Sequence, residues 1–186
     1  MSRTHPRRLF VAAYPPQGVT RRLLELSTLS TTPGLPGRAT PAELVHLTVH
    51  FIGDTDPRGV GAVEESIERA TAGIGPMSLT VPRIGFLGVA SSSLLVAEVA
   101  PHAGLAELRA RLVTRFPGGG GRVERSVYRP HLTLARPSRG MPIGRDVEIR
   151  LDPPAEFTVS GIHLMESRLR PGGATHASVR SFPLMG

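Results

Sequence analysis

The string His-Leu-Thr-aliphatic occurs twice in this chain, as His46-Leu47-Thr48-Val49 and again as His131-Leu132-Thr133-Leu134. Both copies sit in short β-favouring runs, where successive side chains point to opposite faces. His and Thr then share a face, roughly 6.5–7 Å apart, while the aliphatic neighbours enter a core from the other side. With 7 histidines in 186 residues, chance repetition of such a string is rare. An internal duplication, setting two half-sites across a cleft, explains it better than two unrelated strands.

The length suffices for a sizeable core, and the simplest organisation is one domain over 1–186 with two lobes, each contributing one His-x-Thr motif. The chain has no cysteine, which excludes disulfides, thiolate metal sites and cysteine nucleophiles and fits a reducing cytoplasm. Its formal charge is +7, carried by 22 basic residues that are all Arg. The absence of Lys marks a composition bias, which discounts the charge somewhat, but its sign still favours phosphate-bearing partners. Leu9 to Tyr14 is too short for a signal-peptide core and is followed by Pro15-Pro16. No apolar run approaches the ~20 residues of a membrane span. The expectation is a soluble cytoplasmic monomer with no membrane partner.

Periodicity predicts a buried strand over Arg8–Tyr14 and an amphipathic helix to Ser27 through Val19, Leu23 and Leu26. Ser30 to Pro41 reads as a loop, and Glu43 to Phe51 as the first motif strand. Alternation puts His50 on the face of His46 and Thr48, and Phe51 on the core face. A helix opens at Asp56-Pro57 with Val60, Val63, Ile67 and Ala70 buried. Strands follow at Met77–Val81 and Leu94–Val99, joined through Gly88–Ser93. The helix after Pro101 turns Leu105, Leu108, Leu112 and Phe116 inward. Gly118 to Gly121 lacks the Lys-Ser/Thr of a P-loop and reads as a flexible loop. Ser126–Arg136 forms the second motif strand, Phe157–Leu169 one long strand and His176–Phe182 a closing strand. The order β-α-β-α-β-β-α-β-β-β implies an α+β fold with mainly antiparallel sheets.

The paired His-x-Thr-x motifs stand with Arg8-Leu9-Phe10-Val11-Ala12 near the start, Phe51-Ile52-Gly53 after the first motif and Arg136 after the second. In this arrangement the chain resembles the 2H phosphoesterase superfamily, and within it the bacterial RNA 2′,3′-cyclic phosphodiesterases, also called 2′-5′ RNA ligases. The similarity continues through Ser167-Arg168-Leu169 to Phe182-Pro183-Leu184. It implies a bilobal, pseudo-symmetric fold in which two mainly antiparallel sheets flank a central cleft, with helices outside.

Opening a five-membered cyclic phosphate needs water deprotonated on one side of phosphorus and the leaving ribose oxygen protonated on the other. Two histidines with ordinary pKa values near 6.5 suit both tasks. Thr48 and Thr133 share their faces and can donate hydrogen bonds to the non-bridging oxygens. The resemblance implies that His46 is the acid, His131 the base and Arg136 a phosphate contact. Strict alternation turns Arg136 away from His131, so that contact requires the strand to end, twist or bulge after Leu134.

The resemblance further implies opening of 2′,3′-cyclic phosphate RNA ends, or of small cyclic nucleotides, to 2′-phosphomonoesters, with 2′-5′ ligation as the reverse reaction. No cofactor is called for. The motif histidines have no carboxylate or third His at zinc-ligand spacing, so no metal is expected. His5, His102, His163 and His176 have no motif partner and read as surface or satisfied histidines, although His176 and Arg168 lie in a segment similar to the family's C-terminal region. Tyr14 and Tyr128 are the remaining candidates for base stacking, and Arg125 and Arg129 for RNA phosphates. Where many relatives carry an aromatic residue before the first motif, this chain has Arg38-Ala39-Thr40. Two other readings compete: a non-catalytic RNA- or nucleotide-binding module on the same fold, and a 2H phosphodiesterase for another cyclic phosphate.

Overall fold

A computed structural model describes residues 5–30, 37–88, 94–118, 128–137, 148–170 and 173–186. The first strand, β1 (Arg7–Ala13), is built from residues that are apolar on both faces. Leu9, Val11 and Ala13 enter the main core, while Phe10 and Ala12 join Met165 and Tyr14 in a smaller cluster on the opposite face. Helix α1 (Gln17–Ser30) follows. It is succeeded by a short strand, β2 (Gly37–Ala39), in a stretch whose Pro/Gly content reads as loop.

The first motif strand starts later than its β propensity predicts. A 3₁₀ turn at Ala42–Leu44 precedes β3 (Leu47–Thr55), so His46 stands just ahead of the strand. Asp56 accepts from the Arg58 N–H at 2.8 Å and caps a 3₁₀ turn. Helix α2 (Val60–Thr71) then buries Val60, Val63, Ile67 and Ala70, the predicted stripe. Strand β4 (Met77–Leu87) runs further than its alternating start, and β5 (Leu94–Glu98) pairs with it. Gly88 begins the expected connection, of which residues 89–93 lie outside the described set.

Helix α3 (Ala103–Arg115) is capped by His102, whose ring nitrogen accepts from the Leu105 N–H. Leu105, Leu108 and Leu112 point inward as predicted, and Phe116 packs half-buried beyond the helix end. Residues 119–127, with most of the glycine run and Arg125, lie outside the described set. The second motif strand is β6 (His131–Pro137). The predicted long C-terminal strand is two strands, β7 (Ile149–Val159) and β8 (Gly161–Arg170), broken at Ser160. The closing strand is β9 (Gly173–Pro183).

The strands pair antiparallel in the order β7-β4-β5-β6-β3-β1-β8-β9, with β2 added beside β6. Each half has four strands in line. Among the described residues the halves are joined by one register pair, Leu47 with Leu132, the central Leu of each motif. Both leucines are fully buried. The two strands that carry the repeated string therefore meet at the seam of the molecule.

Bulges on these two strands overturn two expectations from alternation. In β3, Val11 pairs with His50 and Ala12 with Thr48, which leaves Val49 as an extra residue. A one-residue insertion turns every later side chain to the other face. His50 is thus buried at 8% exposure beside Val49, and Phe51 is 48% exposed on the side of Phe10. A second irregularity at Ile52 adjoins Gly53, whose φ of 93° is one that residues with a side chain avoid.

In β6, Val96 pairs with Thr133 and Leu95 with Ala135, so Leu134 is the extra residue. Ala135 packs on the core, and Arg136 emerges exposed. The bulge that Arg136 requires is present. Phe51 and Arg136 stand five residues after their motif histidines at equivalent positions, so the duplication extends to the kink that follows each motif.

Candidate active site

Each motif histidine is anchored in the same way. The His46 Nδ1–H donates to the Leu44 carbonyl at 2.7 Å, and the His131 Nδ1–H donates to the Arg129 carbonyl, also at 2.7 Å. The partner is the residue two before the histidine in both cases. This fixes the tautomer, leaving Nε2 of each ring as a lone pair available to a proton. The 3₁₀ turn ahead of His46 supplies one of these carbonyls, and the Arg129-Pro130 entry to β6 supplies the other.

The Leu47–Leu132 pair sets the register between the motifs. Continuing it antiparallel puts His46 across from Thr133, and Thr48 across from His131. Directly opposed side chains have Cβ atoms about 4.5–5.5 Å apart and diagonal ones about 7–8 Å. The four side chains therefore flank the Leu47–Leu132 pair, a His of one motif and the Thr of the other on each side of it, and His131 is close enough for its charge to act on His46. All four are partly buried. The structure brings together His46, Thr48, His131 and Thr133, and the β6 bulge adds Arg136, whose charge reaches His46 and His176.

His46 is not an ordinary histidine. Burial, the largest cause, holds its pKa down to about 4. The Leu44 hydrogen bond works in the opposite direction, and the charges of His176, His131 and Arg136 add to the effect of burial. His46 is therefore neutral at pH 7.

Two residues enter the site without motif support. The His176 ring stands T-shaped to His46 at a centroid distance of 5.1 Å and to Phe10 at 4.9 Å. Among the described residues its buried Nδ1 has no hydrogen-bond partner, and burial followed by the charge of Arg136 lowers its pKa. The expectation of a surface or satisfied role is corrected: β9 returns along β8 at the sheet edge and carries His176 to the cleft. Phe10 lies under the site, 5.2 Å from His46 and 6.1 Å from Phe51. Phe51, read as core packing, is an exposed ring in this group. Phe10 was hidden because its strand is apolar from Leu9 to Ala13 and shows no alternation there from which to choose a face.

Other candidates are placed elsewhere. The His50 Nε2–H donates to the Phe116 carbonyl at 3.1 Å on the far face of the sheet, and burial lowers its pKa. Tyr14 lies 5.7 Å from His46, with His163 at 5.4 Å on its other side. Tyr128 is no stacking platform: its hydroxyl donates to the Thr48 carbonyl at 2.9 Å, its ring packs on the core, and the Arg109 guanidinium covers it at 4.2 Å. Arg168 is held by the buried Glu166 at 2.8 Å, which also binds Arg7, so Arg168 is engaged in structure. Among the described residues no group of three or more metal-ligating side chains gathers, and no helix is long and apolar enough to cross a membrane.

The family model of the 2′-5′ RNA ligase superfamily matches residues 33–170, the span that holds both motifs and Arg136. This chain belongs to that superfamily. A protein of Thermus thermophilus named RNA 2′,3′-cyclic phosphodiesterase is 28% identical over 96% of this chain and 91% of its own length. One of the same name from Geobacillus stearothermophilus is 26% identical over 76% of this chain, which spans 46% of that relative. The fold is that of TT0787 of Thermus thermophilus, with a TM-score of 0.75 at 24% identity over 95% of this chain and 97% of the other. It is also that of E. coli LigT solved with 3′-AMP, with a TM-score of 0.77 at 22% identity over 97% and 99%. The α+β, antiparallel 2H phosphoesterase fold expected from the sequence is therefore the fold observed.

The His176 contact carries a prediction that does not depend on activity. His176→Phe keeps a ring against Phe10 and His46 but removes a titratable group whose protonation opposes that of His46, so the His46 pKa rises from about 4. The shift is read by NMR titration of the His46 ring. An unchanged titration removes His176 as a tuning group.

Proposed function

We propose that this chain is a cyclic phosphodiesterase that opens 2′,3′-cyclic phosphates of RNA ends, or of small cyclic nucleotides, to 2′-phosphomonoesters. The observation that carries the reading is the mirrored pair of histidines, each locked by Nδ1 to a carbonyl two residues back, on two motifs that meet at the Leu47–Leu132 pair. The relatives' shared name supports it. The two halves of the sheet act as lobes of one domain, each contributing one His-Thr pair.

The bound phosphate sits between the imidazoles. Thr48 and Thr133 donate to its non-bridging oxygens, and Arg136 offsets its charge. His131 takes a proton from the attacking water, and His46 delivers one to the departing 3′-oxygen, each contributing roughly 10²–10⁴-fold. Because His46 is neutral before substrate binds, its proton is taken up with the substrate: the phosphate anion beside the ring raises the pKa that burial, first of all, and the charge of Arg136 depress. With a 5′-hydroxyl in place of water as the attacking group, the same two histidines in the same roles break the bond to the 3′-oxygen and form a 2′-5′ linkage without ATP, a minor reaction in water.

Incubation with a nucleoside 2′,3′-cyclic phosphate, followed by phosphorus NMR, is expected to show conversion to the 2′-phosphate, at the same rate with EDTA present. Tight binding of the cyclic nucleotide without turnover would make the protein a binding module instead.

A further inference from the structure

Strand β2 sets Arg38 directly opposite Arg136 on β6. Like charges in directly opposed positions of an antiparallel pair disfavour the pairing. Among the described residues neither arginine has a carboxylate partner, whereas Arg7, Arg83, Arg111, Arg168 and Arg180 each have one. Two facing cations left in this way are a site for an anion.

The Arg38 side chain also crosses the groove. Its backbone belongs to the β6 half, but its guanidinium rests on Gly173 at the head of β9, three residues before His176. A Cβ built at Gly173 would fall 3.0 Å from Arg38 Nη1 and 3.6 Å from Cζ, and Gly173 has a φ of 132°. The bare glycine leaves room for the guanidinium at the His46–His176 end of the cleft. Arg136 acts at the same end, since its charge is felt at both those rings.

A cyclic phosphate on the 2′ and 3′ oxygens leaves one other place on the same ribose for phosphate, the 5′-oxygen. We propose that Arg38 and Arg136 form a second phosphate site beside the two-histidine centre, which holds the phosphate on the 5′-oxygen of the terminal nucleoside. Arg136 is shared between the two phosphates, and Arg38 serves the second alone. The substrate class is then nucleotide ends bearing a 5′-side phosphate, in preference to nucleosides with only the cyclic phosphate. The inference rests on the cyclic phosphodiesterase reading and narrows its substrate.

Three substrates test it: adenosine 2′,3′-cyclic phosphate with a free 5′-hydroxyl, the same compound with a 5′-phosphate, and an adenylyl dinucleotide ending in the cyclic phosphate. The wild-type protein is expected to favour the second and third over the first by roughly tenfold in kcat/KM. Arg38→Ala and Arg38→Glu abolish that preference, and Arg38→Lys keeps part of it. Preference for both phosphate-bearing substrates assigns the site to phosphate of either kind, and preference for the dinucleotide alone assigns it to the internucleotide diester. Loss of Arg38 also lowers the log–log salt slope for the dinucleotide by about 1. Since Arg38 is exposed, unfolding midpoints of the variants serve as the folding control. A dinucleotide preference undiminished in Arg38→Ala would come from the second base and overturn the proposal. Equal kcat/KM for all three in the wild type overturns the second site but leaves the cyclic phosphodiesterase standing, whereas no turnover of any of them removes the function on which both rest.

Discussion

Replacing His46 or His131 by alanine lowers turnover of a 2′,3′-cyclic phosphate by roughly 10²–10⁴-fold, and replacing both leaves no measurable reaction above the uncatalysed rate. The losses are not additive, because in-line opening needs a proton removed and a proton delivered in one event. His46→Gln and His131→Gln keep a polar side chain and fail equally, since an amide exchanges no proton at neutral pH. Steady-state kinetics measures the loss, and unfolding midpoints separate it from a folding defect. The roles separate with a nucleotide carrying a p-nitrophenyl phosphodiester, whose leaving group departs without a proton. The His46 variant recovers on that substrate and the His131 variant does not. Recovery of the His131 variant instead would exchange acid and base, and full activity in the double variant would end the two-histidine mechanism.

Folding stability is expected to fall as the pH drops from about 6.5 to about 4. The His46 pKa is lowered to about 4 in the folded protein from an ordinary 6.5. Over that window the unfolded chain binds a proton that the folded one refuses. The stability this group contributes is complete above its unfolded pKa and is lost as the pH falls to the folded one. The shift corresponds to at most roughly 3 kcal/mol, a large share of the 5–15 kcal/mol typical of a folded domain. His50, His163 and His176 are lowered too, with burial as the leading cause in each, and act in the same direction. Urea midpoints at pH 7, 6, 5 and 4 measure the effect. His46→Gln flattens part of the slope, and a midpoint constant from pH 7 to 4.5 would contradict a buried neutral His46.

The repeated string made the chemistry legible because its period of two places His and Thr on one face whatever the strand's surroundings. The helical stripes of α2 and α3 were legible for the corresponding reason, that apolar residues at a helical period can bury only one face. Strand β2 was not: three residues in a Pro/Gly-rich stretch have no periodicity of their own, and they become a strand by pairing with β6. The division between β7 and β8 was likewise missed. Phe157 to Leu169 is rich in strand-favouring residues on both sides of Ser160-Gly161 and reads as one strand, and the pairing partners, β4 for the first part and β1 for the second, divide it.

What the residues alone determined is that two imidazole-hydroxyl pairs exist on strands with aliphatic backs, because that follows from spacing within each strand. Tertiary structure decided what stands around them. The bulges at Val49 and Leu134 reverse the facing of the residues directly after each motif, which sends His50 into the core and turns Phe51 and Arg136 outward on the side of the motif histidines. Return of the chain along β8 places His176 against His46, and pairing of β2 with β6 sets Arg38 against Arg136. Facing after a bulge depends on which residue the neighbouring strand leaves unpaired, and neighbours across a sheet edge depend on which strands meet. Both are properties of pairs of segments, which no local pattern encodes.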